Sequence, residues 1–504
     1  MRGYFVVALF MTLGFAAGCG GSSGGSTPVG VPTTVSLTPA FGQVLAPSQT
    51  LTITAAVSTP SSNAGVTWTL SGPGSLSSST ANPVTYTAPS SINANAAAVV
   101  TATADASTSA TAYVPITLTP AIAGSNVAPL TINSGPAGGS TNIAFVSVTI
   151  CEPGTTTCAT VDDVQVDTGS EGLRILQSAI PSLSLPTLTD NSGNDINDCV
   201  QFLDTTYLWG PVQEADVRVN GEIGGQALLQ VVSSSNSGIP SACTNGGTQN
   251  DNTPLLLGAN GIIGIGAEPT DCILAGSDFC DGSLGSISPV YFSCPSSGCS
   301  FGDSPVAVAS NNQVTNPVVL FPTDNQGTAI TFPSLSGGAA SLDGTLTFGI
   351  GTQANNALGS ATVFEMDTND NFVTLYAGQT LTASFIDSGS NALFFPSSIV
   401  VCADNPNFYC PAATVATSAL NGPGGGVPTF NVPFSVDNAD TLFGVTANTA
   451  FGTLGGPQGT ANTCSNGTGS CSFDWGLPFF FGRTVFTAID GQSVSGGASP
   501  FWAY

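Results

Sequence analysis

The sequence predicts an all-β protein in which a small β-sandwich precedes a larger, duplicated unit of two lobes. Six short segments between residues 32 and 119 alternate apolar residues with Ser or Thr. From residue 139 onward the chain is again strand-like, poor in helix formers and rich in turn residues. An apolar strand that ends in Asp-(Thr/Ser)-Gly-Ser occurs twice, which indicates the duplication.

The N-terminus has the parts of a secretory signal, which we place at residues 1–18. A short apolar run, Tyr4–Phe15, precedes small residues and Cys19, and it is too short for a stable transmembrane helix. The small residues before Cys19 resemble the lipobox of bacterial lipoproteins. This resemblance implies cleavage before Cys19, acylation of its thiol and amine, and, because Gly20 follows, an outer-membrane location in the cell envelope. An ordinary signal peptide with an unmodified cysteine is the alternative.

Residues 19–31 form the lipidated cysteine and a Gly/Ser/Pro tether that is expected to be flexible. Residues 32–119 follow as a β-sandwich. Its six predicted strands are Val35–Leu37, Leu51–Ile53, Val66–Leu70, Val84–Tyr86, Val99–Ala104 and Tyr113–Leu118. The segment resembles bacterial immunoglobulin-like domains, with Trp68 as the buried core aromatic. The resemblance implies a spacer, and an adhesive module is the alternative. Residues 120–138 are predicted to be a linker.

The two Asp-(Thr/Ser)-Gly-Ser motifs place Asp167 and Asp387 at the ends of apolar strands, 387 − 167 = 220 residues apart. Each motif is followed by a partner segment at nearly one spacing. Gly261–Gly266 begins 261 − 167 = 94 residues after the first Asp, and Trp475–Arg483 begins 475 − 387 = 88 residues after the second. The alternative is two ordinary Asp-Gly turns in a β-protein.

Composition excludes several chemistries. The chain has no His, and its four basic residues are all Arg, so a Ser-His-Asp triad, a Cys-His dyad and a His-ligated zinc site are impossible. Acid-base catalysis is therefore left to carboxylates. A formal charge of −26 repels nucleic acid and anionic lipid headgroups, and it attracts cationic peptides. We expect neither nucleic acid nor an electrostatically bound membrane as a partner.

Residues 139–504 resemble the pepsin-like aspartic proteases, with lobes at 139–340 and 341–504. Asn260–Gly266 is similar to the segment that crosses beneath the first catalytic loop of that family, and Ile386–Pro396 to its second loop. Trp475–Arg483 keeps the Trp-to-Arg spacing of the family's closing strand. The stretch from Cys151 to Ser170 also resembles an uncharacterised bacterial family that pairs Cys-x-Pro-Gly with Asp-Thr-Gly-Ser.

The resemblance implies an aspartic endopeptidase that cleaves extended peptides between apolar residues, acts as a monomer and needs no cofactor. Asp167 and Asp387 are the expected catalytic carboxyls, which share one proton because two adjacent carboxylates cannot both ionise cheaply. Gly169 and Gly389 are expected to allow a tight turn. The resemblance also implies that Thr168 and Ser388 lock the two loops together, and that Ser170 and Ser390 hydrogen-bond the outer carboxylate oxygens.

The flap departs from the family pattern and so favours a rival function, a catalytically inactive pepsin-fold binding or envelope-structural lipoprotein. Phe202 stands at the position of the family's flap Tyr and lacks its hydroxyl, so Tyr207 or Trp209 is the candidate substitute, with packing as their alternative role. Pro478 stands where the closing strand has Gly. The chain also has no Lys for a basic pro-segment.

The cysteines predict disulfides in an oxidising compartment, because the thirteen Cys minus Cys19 leave twelve. Closeness in sequence pairs Cys151 with Cys158, Cys272 with Cys280, Cys294 with Cys299, Cys402 with Cys410 and Cys464 with Cys471, and leaves Cys199 for Cys243. Cross-pairing between the 402/410 and 464/471 pairs stays open. The sequence contains no Cys-x-x-Cys repeat, the pattern that would indicate a metal cluster.

Two acidic, Asn-rich stretches, Asp190–Asp198 and Asp367–Asn371, have the composition of calcium loops or of solvated turns. The second has Phe372 where a calcium loop wants Gly. Solvated turns are the favoured interpretation of both, and we predict no metal.

Overall fold

A computed structural model describes residues 33–38, 43–45, 50–60, 62–89, 96–118, 126–202, 206–244, 249–274, 276–295, 297–458, 471–494 and 497–504. The signal segment, Cys19 and the tether lie outside these ranges. The remaining chain divides into two compact units, one ending at Ala123 and one spanning Gly124–Tyr504. None of the helices in the described ranges combines the length and apolar character needed to cross a membrane.

The smaller unit is a β-sandwich of two four-stranded sheets, ordered β1-β3-β6-β5 and β2-β8-β7-β4. Its strands are β1 Thr34–Thr38, β2 Gln43–Leu45, β3 Thr50–Ser58, β4 Val66–Ser71, β5 Ser75–Leu76, β6 Val84–Thr87, β7 Ala96–Ala104 and β8 Ser107–Leu118. All six predicted segments lie within strands. Apolar side chains alternate along them, and residues such as Ile53, Tyr86 and Val100 meet in one core. Trp68 is buried there, and its indole N–H donates to the Ala81 carbonyl at 2.9 Å.

The larger unit is also almost entirely β. The strands up to residue 294 are β9 Val127–Ile132, β10 Ala144–Cys151, β11 Cys158–Asp167, β12 Glu171–Leu176, β13 Asp195–Gln201, β14 Tyr207–Val219, β15 Glu222–Val232, β16 Gly261–Ile265, β17 Ile273–Leu274, β18 Ser277–Asp278 and β19 Tyr291–Cys294. Short helices are α1 Ser241–Thr244 and α2 Pro254–Leu257, with 3-10 turns at Gln177–Ala179, Ser310–Asn312 and Pro317–Leu320. The fold-class prediction, all-β, is confirmed.

The strands of the second part are β20 Gly327–Thr331, β21 Gly338–Ala339, β22 Leu342–Phe348, β23 Val363–Glu365, β24 Phe372–Tyr376, β25 Gln379–Ile386, β26 Leu393–Phe395, β27 Val415–Gly422, β28 Phe430–Val436, β29 Ala450–Phe451, β30 Gly455–Pro457, β31 Asp474–Trp475, β32 Thr484–Ala488 and β33 Phe501–Ala503. Helix α3 spans Ala439–Phe443, and a 3-10 helix spans Leu477–Phe480. One apolar cluster runs through both parts and joins residues such as Val166 and Ile263 to Ile386 and Trp475.

A fourteen-stranded sheet, ordered β19-β13-β14-β15-β12-β16-β11-β10-β9-β22-β20-β32-β33-β23, connects the two lobes. Strand β9 lies inside the predicted linker 120–138, so that prediction is wrong over Val127–Ile132. Its apolar residues alternate, and it pairs with β10 on one side and β22 on the other. Strand β20 precedes the predicted lobe boundary at residue 340, yet it pairs with β22 and β32 of the second lobe.

The two lobes repeat one local arrangement. In the first, β11 runs parallel to β16 with Asp167 opposite Gly264, and β12 pairs antiparallel to β16 with Leu173 opposite Ile263. In the second, β25 runs parallel to β31 and β26 pairs antiparallel to it, with Leu393 opposite Trp475. Both pairings make Trp475 the counterpart of Ile263. The duplication inferred from the motifs is therefore present in the strand pairing.

Candidate active site

Each aspartate motif lies at the end of a buried strand at the junction of the lobes. Val164 and Val166 of β11 are buried and lead to Asp167, while Phe385 and Ile386 of β25 lead to Asp387. Alternating apolar residues hold these strands in the sheet, and the Gly-Ser that follows turns the chain back into β12 or toward β26. Both carboxyl groups are completely buried.

The two loops are tied together by reciprocal hydrogen bonds. Thr168 Oγ1 donates to the Ile386 carbonyl at 3.2 Å and accepts from the Ser388 amide at 2.9 Å. Ser388 Oγ donates to the Val166 carbonyl at 2.8 Å and accepts from the Thr168 amide at 3.0 Å. Every donor and acceptor in this exchange is buried and paired, so the arrangement fixes one loop against the other.

The two carboxyl groups approach each other at Gly389: a Cβ there would lie 2.6 Å from Asp167 Oδ1 and 3.0 Å from Asp387 Oδ1. The amide of Gly169 donates to Asp167 Oδ1 at 2.9 Å, and that of Gly389 donates to Asp387 Oδ1 at 2.7 Å. On the outer oxygens, Ser170 Oγ lies 2.5 Å from Asp167 Oδ2 and Ser390 Oγ lies 3.0 Å from Asp387 Oδ2. The six predicted loop residues thus surround the two aspartates.

The two loop glycines, Gly169 and Gly389, form their turns without left-handed backbone. At Gly389 the close approach of the other loop leaves no space for a side chain, because a Cβ there would lie 2.6 Å from Asp167 Oδ1. The requirement for space at Gly389 adds to the predicted requirement for a tight turn, which stays a prediction at both positions.

Burial and mutual charge keep protons on this pair. Burial raises the pKa of Asp167, against the hydrogen bonds from Ser170 and Gly169 and the positive charge of Arg174. Burial raises the pKa of Asp387 well above its usual range, and the neighbouring carboxyl groups of Asp167 and Asp474 add to that effect. The environment therefore favours retention of a proton by the coupled pair, and Arg174 is the nearby cation that opposes protonation of Asp167.

Two charged residues of the site were not predicted. Asp474 is buried, and its Oδ2 lies 2.7 Å from Ser390 Oγ. Arg174 is buried in an ion pair with Asp271 at 3.0 Å and lies 3.6 Å from Asp198. A signal existed for each one: Asp474 is the only charged residue between Phe473 and Phe481, and Arg174 is one of four cations in the chain.

Two amides also join the lobes near the loops. Gln165 Nε2 donates to the Gly389 carbonyl at 3.1 Å. Asn142 Nδ2 donates to the carbonyls of Asn391 at 2.7 Å and Phe451 at 2.9 Å, and its Oδ1 accepts from the Phe451 amide. These residues bond backbone groups more than 200 positions away, so sequence spacing gave no indication of them.

A cleft of about 870 Å³ opens beside the first loop and is lined by both lobes. Ser170 and Glu171 contribute from one lobe, and Thr382 and Phe385 from the other. A space of this size and two-sided lining can accept an extended peptide.

The predicted flap aromatics do not line this cleft. β13 and β14 form a hairpin with Gln201 opposite Tyr207 at the end where the loop connects the two strands. Phe202 packs in an apolar cluster with Leu208 and Leu257, while Tyr207 and Trp209 pack with other buried residues such as Phe292. From this hairpin the cleft receives Cys199, Val200 and Gln201 instead. Packing is thus the role of all three aromatics in this structure.

The alignment of the closing segment also needs correction. Trp475 pairs with Ile386, so Gly476, not residue 478, lies beneath the second aspartate as Gly264 lies beneath the first. A Cβ at Gly476 would lie 2.1 Å from the Ala392 carbonyl oxygen. Pro478 lies in the following 3-10 helix, where its fixed φ is compatible with the first turn.

Five predicted disulfides are formed: Cys151–Cys158, Cys199–Cys243, Cys272–Cys280, Cys294–Cys299 and Cys402–Cys410. The Cys402–Cys410 bond excludes cross-pairing of these two. Cys464 lies outside the described residues, so its bond to Cys471 stays a prediction.

The two acidic stretches form locally closed turns. Asp190 Oδ1 accepts from the amides of Ser192 and Asn194, and Asp367 Oδ1 accepts from those of Asn369 and Asn371. These contacts are typical of Asx turns.

The fold and site together define a class: a two-lobed all-β protein with paired aspartates on matched, interlocked loops. The chain belongs to the family described as "Protein of unknown function (DUF3443)", whose sequence profile matches residues 123–504. A comparison with curated proteins finds no match. Among solved structures, one that matches is the crystal structure of an aspartic proteinase from Irpex lacteus, with 15% sequence identity and a TM-score of 0.40. The match covers 75% of this chain and 96% of that one.

Proposed function

We propose that the chain is an aspartic endopeptidase that hydrolyses peptide bonds with water activated between Asp167 and Asp387. One observation carries the proposal: two buried carboxyl groups lie side by side on matched, interlocked loops, beside a cleft lined by both lobes. Such a pair can hold one proton and one negative charge at the same time, which supplies an acid and a base at one position.

The surroundings assign different roles to the two aspartates. Arg174 favours the ionised form of Asp167, so Asp167 takes a proton from the attacking water. Asp387 keeps its proton beside two other carboxyls, so it gives that proton to the carbonyl oxygen as the water oxygen bonds to the carbonyl carbon. The tetrahedral intermediate then collapses: the C–N bond breaks, and the amine leaves with the proton that Asp167 had taken. A hydroxyl of the intermediate returns its proton to Asp387 as the carbonyl re-forms, which restores both aspartates.

The lining of the cleft supports an extended peptide with apolar side chains as the substrate. Ile273, Leu274, Phe279 and Phe385 provide apolar surface along it. The formal charge of −26 would also draw in peptides that carry positive charge elsewhere.

A peptide-library digest from about pH 3 to about pH 7 tests the proposal. We expect cleavage by the wild type and a loss of at least about 10³-fold in kcat/KM for Asp167→Asn and for Asp387→Asn. Asp281→Asn is the matched control, because Asp281 is exposed and hydrogen-bonds only its own turn. Cleavage absent at every pH, or equal in both site variants and the control, contradicts the proposal.

A second function, peptide binding without cleavage, is favoured by one observation: neither aspartate has any solvent-exposed surface. A site sealed in this way would bind peptides in the cleft and leave them intact. Calorimetry with peptides from the same library separates the two, since binding by wild type and by Asp167→Asn without any product formation supports the second function.

We further propose that the protein is a monomeric lipoprotein of the outer membrane, attached through Cys19, with an immunoglobulin-like spacer and no nucleic acid partner. The order of charged, apolar and small residues before Cys19 supports the anchor. Metabolic labelling with a radioactive fatty acid should label the wild type and not Cys19→Ser. Equal labelling of both contradicts the anchor and leaves the peptidase proposal unaffected.

A further inference from the structure

Ser390 contacts two carboxyl groups at once. Its Oγ lies 3.0 Å from Asp387 Oδ2 and 2.7 Å from Asp474 Oδ2, and all three side chains are buried. A hydroxyl has a single proton, so it donates to only one of the two oxygens. The other contact is a hydrogen bond only if that carboxyl carries a proton and donates it to Ser390 Oγ.

The surroundings of Asp474 indicate which carboxyl this is. Within the described chain, Asp474 Oδ1 has no hydrogen-bond partner, so this side chain meets a single hydroxyl. An ionised carboxylate buried with so few donors is far costlier than a neutral one. Asp387, in contrast, also accepts a hydrogen bond from the Gly389 amide.

The first lobe has no such group. The pairing of β16 and β31 with their neighbours makes Ile262 the counterpart of Asp474. Ile262 is buried in an apolar cluster, and among the described residues the hydroxyl of Ser170 hydrogen-bonds Asp167 alone. Asp474 is therefore an addition to the duplicated framework and is not needed to build it.

We propose that Asp474 is a positioning residue whose protonated carboxyl donates to Ser390 Oγ and so directs the hydroxyl proton of Ser390 onto Asp387. Asp387 then keeps a fixed donor on its outer oxygen while its proton faces Asp167. The titratable groups that act on Asp474 are Asp167 and Asp387, and the positive charge of Arg174 acts on Asp167. Burial, which raises the pKa of Asp474 well above its usual range, is consistent with this proton.

Infrared difference spectra at about pH 7 test whether Asp474 carries a proton, because protonated and ionised carboxyl groups absorb at different frequencies. This test does not depend on activity. Wild type minus Asp474→Asn should show the loss of one protonated-carboxyl band. The control, wild type minus Asp281→Asn, should show the loss of an ionised carboxylate, since the Ser283 hydrogen bond lowers the pKa of Asp281. Loss of a carboxylate band in the Asp474→Asn pair overturns the proposal.

The positioning role rests on the proposed peptidase function and is tested by comparing two variants. The amide of Asp474→Asn can still donate to Ser390, so kcat should stay within about threefold of wild type. Asp474→Leu has a similar shape and no donor, so kcat should fall by about 10- to 100-fold with little change in KM. A space-filling role predicts the opposite order, and equal kcat in the two variants overturns the proposal.

Two results keep the proposals separate. If Asp474→Leu does not fold, Ser390→Ala replaces it, since that variant removes the same donor to Asp387 and should lose a similar factor. If the wild type cleaves no peptide at any pH, the peptidase proposal fails, and the infrared comparison still decides whether Asp474 holds a proton.

Discussion

The two lobes share a backbone arrangement and differ in the charges built onto it. In the first lobe, Arg174 pairs with Ile262 across neighbouring strands. At the matching positions of the second lobe, Phe394 pairs with Asp474. One lobe thus has a cation near its aspartate, and the other has a second acid. Duplication gave two equal loops, and substitutions on the strands beneath them made the two carboxyl groups electrically unequal.

This inequality matters because a symmetric pair of carboxyls has no preferred position for its proton. The charge of Arg174 opposes protonation of Asp167, whereas burial and the charge of Asp167 favour protonation of Asp387. Variants in each lobe should show whether that lobe contributes its own part of this difference.

The largest effect is expected from Arg174→Met. It leaves Asp271 and Asp198 buried without their cation, at a cost of about 3 to 5 kcal/mol in the free energy of unfolding. It also raises the pKa of Asp167, so the acid limb of kcat/KM should move to higher pH. Chemical denaturation and pH–rate profiles measure the two effects. Arg483→Met, which loses a cation that packs on Phe479, should leave the acid limb in place, and an equal shift in both variants contradicts the assignment.

Alanine at the two matched glycines tests the shared backbone. A Cβ at Gly264 would lie 2.7 Å from the Glu171 carbonyl carbon, and one at Gly476 would lie 2.1 Å from the Ala392 carbonyl oxygen. Each variant should lose about 3 kcal/mol of stability, with the larger loss at Gly476. Gly302→Ala is the control, because nothing lies within 4 Å of its added methyl group. A Gly476→Ala protein as stable as this control would mean that the second lobe lacks the close approach.

Removal of the loop hydroxyls tests the symmetry of the interlock. Thr168→Val and Ser388→Ala each leave one buried amide and one buried carbonyl without their partner. Both should lose about 2 kcal/mol of stability, measured by urea denaturation. Thr417→Val, on a strand of the second lobe away from the loops, serves as the control. Losses that differ strongly between the two site variants would show that one loop depends on the interlock more than the other.

The local sequence was enough to predict the two aspartate loops, but it did not predict the charged residues around them. The motifs identified both aspartates and their supporting residues because these lie within three positions of each other. The contacts of Asp474 and Arg174 join residues 84 and 97 positions apart, and no spacing rule connects them. The alignment of the closing segment was wrong for a related reason. Matching Trp475 to the family's Trp relied on residue spacing, and spacing does not give the strand register that places Gly476 beneath Asp387.

The pattern of apolar residues also failed to predict a strand that is short and interrupted by proline. Strand β9 contains Pro129, which made the stretch resemble a linker, although its amides and carbonyls pair with two strands. The flap aromatics were chosen by spacing, while their orientation depends on which face of β14 meets the apolar clusters of the first lobe.

The smallest expected effect concerns the pH dependence of stability in the first lobe. Burial raises the pKa of Asp271 from 3.8 to about 6, against the opposing charge of Arg174. Because the folded-state pKa is the higher one, the stability from this group is complete below about pH 4 and is lost as the pH rises through about 6. We therefore expect the free energy of unfolding to fall across this window.

Asp271→Asn should reduce the slope of the free energy of unfolding against pH by at most about 1.4 kcal/mol per pH unit, since it removes one titrating proton. Asp190→Asn is the control, because the pKa of Asp190 is lowered to about 2 by the Ser293 hydrogen bond and its titration falls below the window. An unchanged slope in Asp271→Asn would remove this group from the lobe difference and leave Arg174 paired mainly with Asp198.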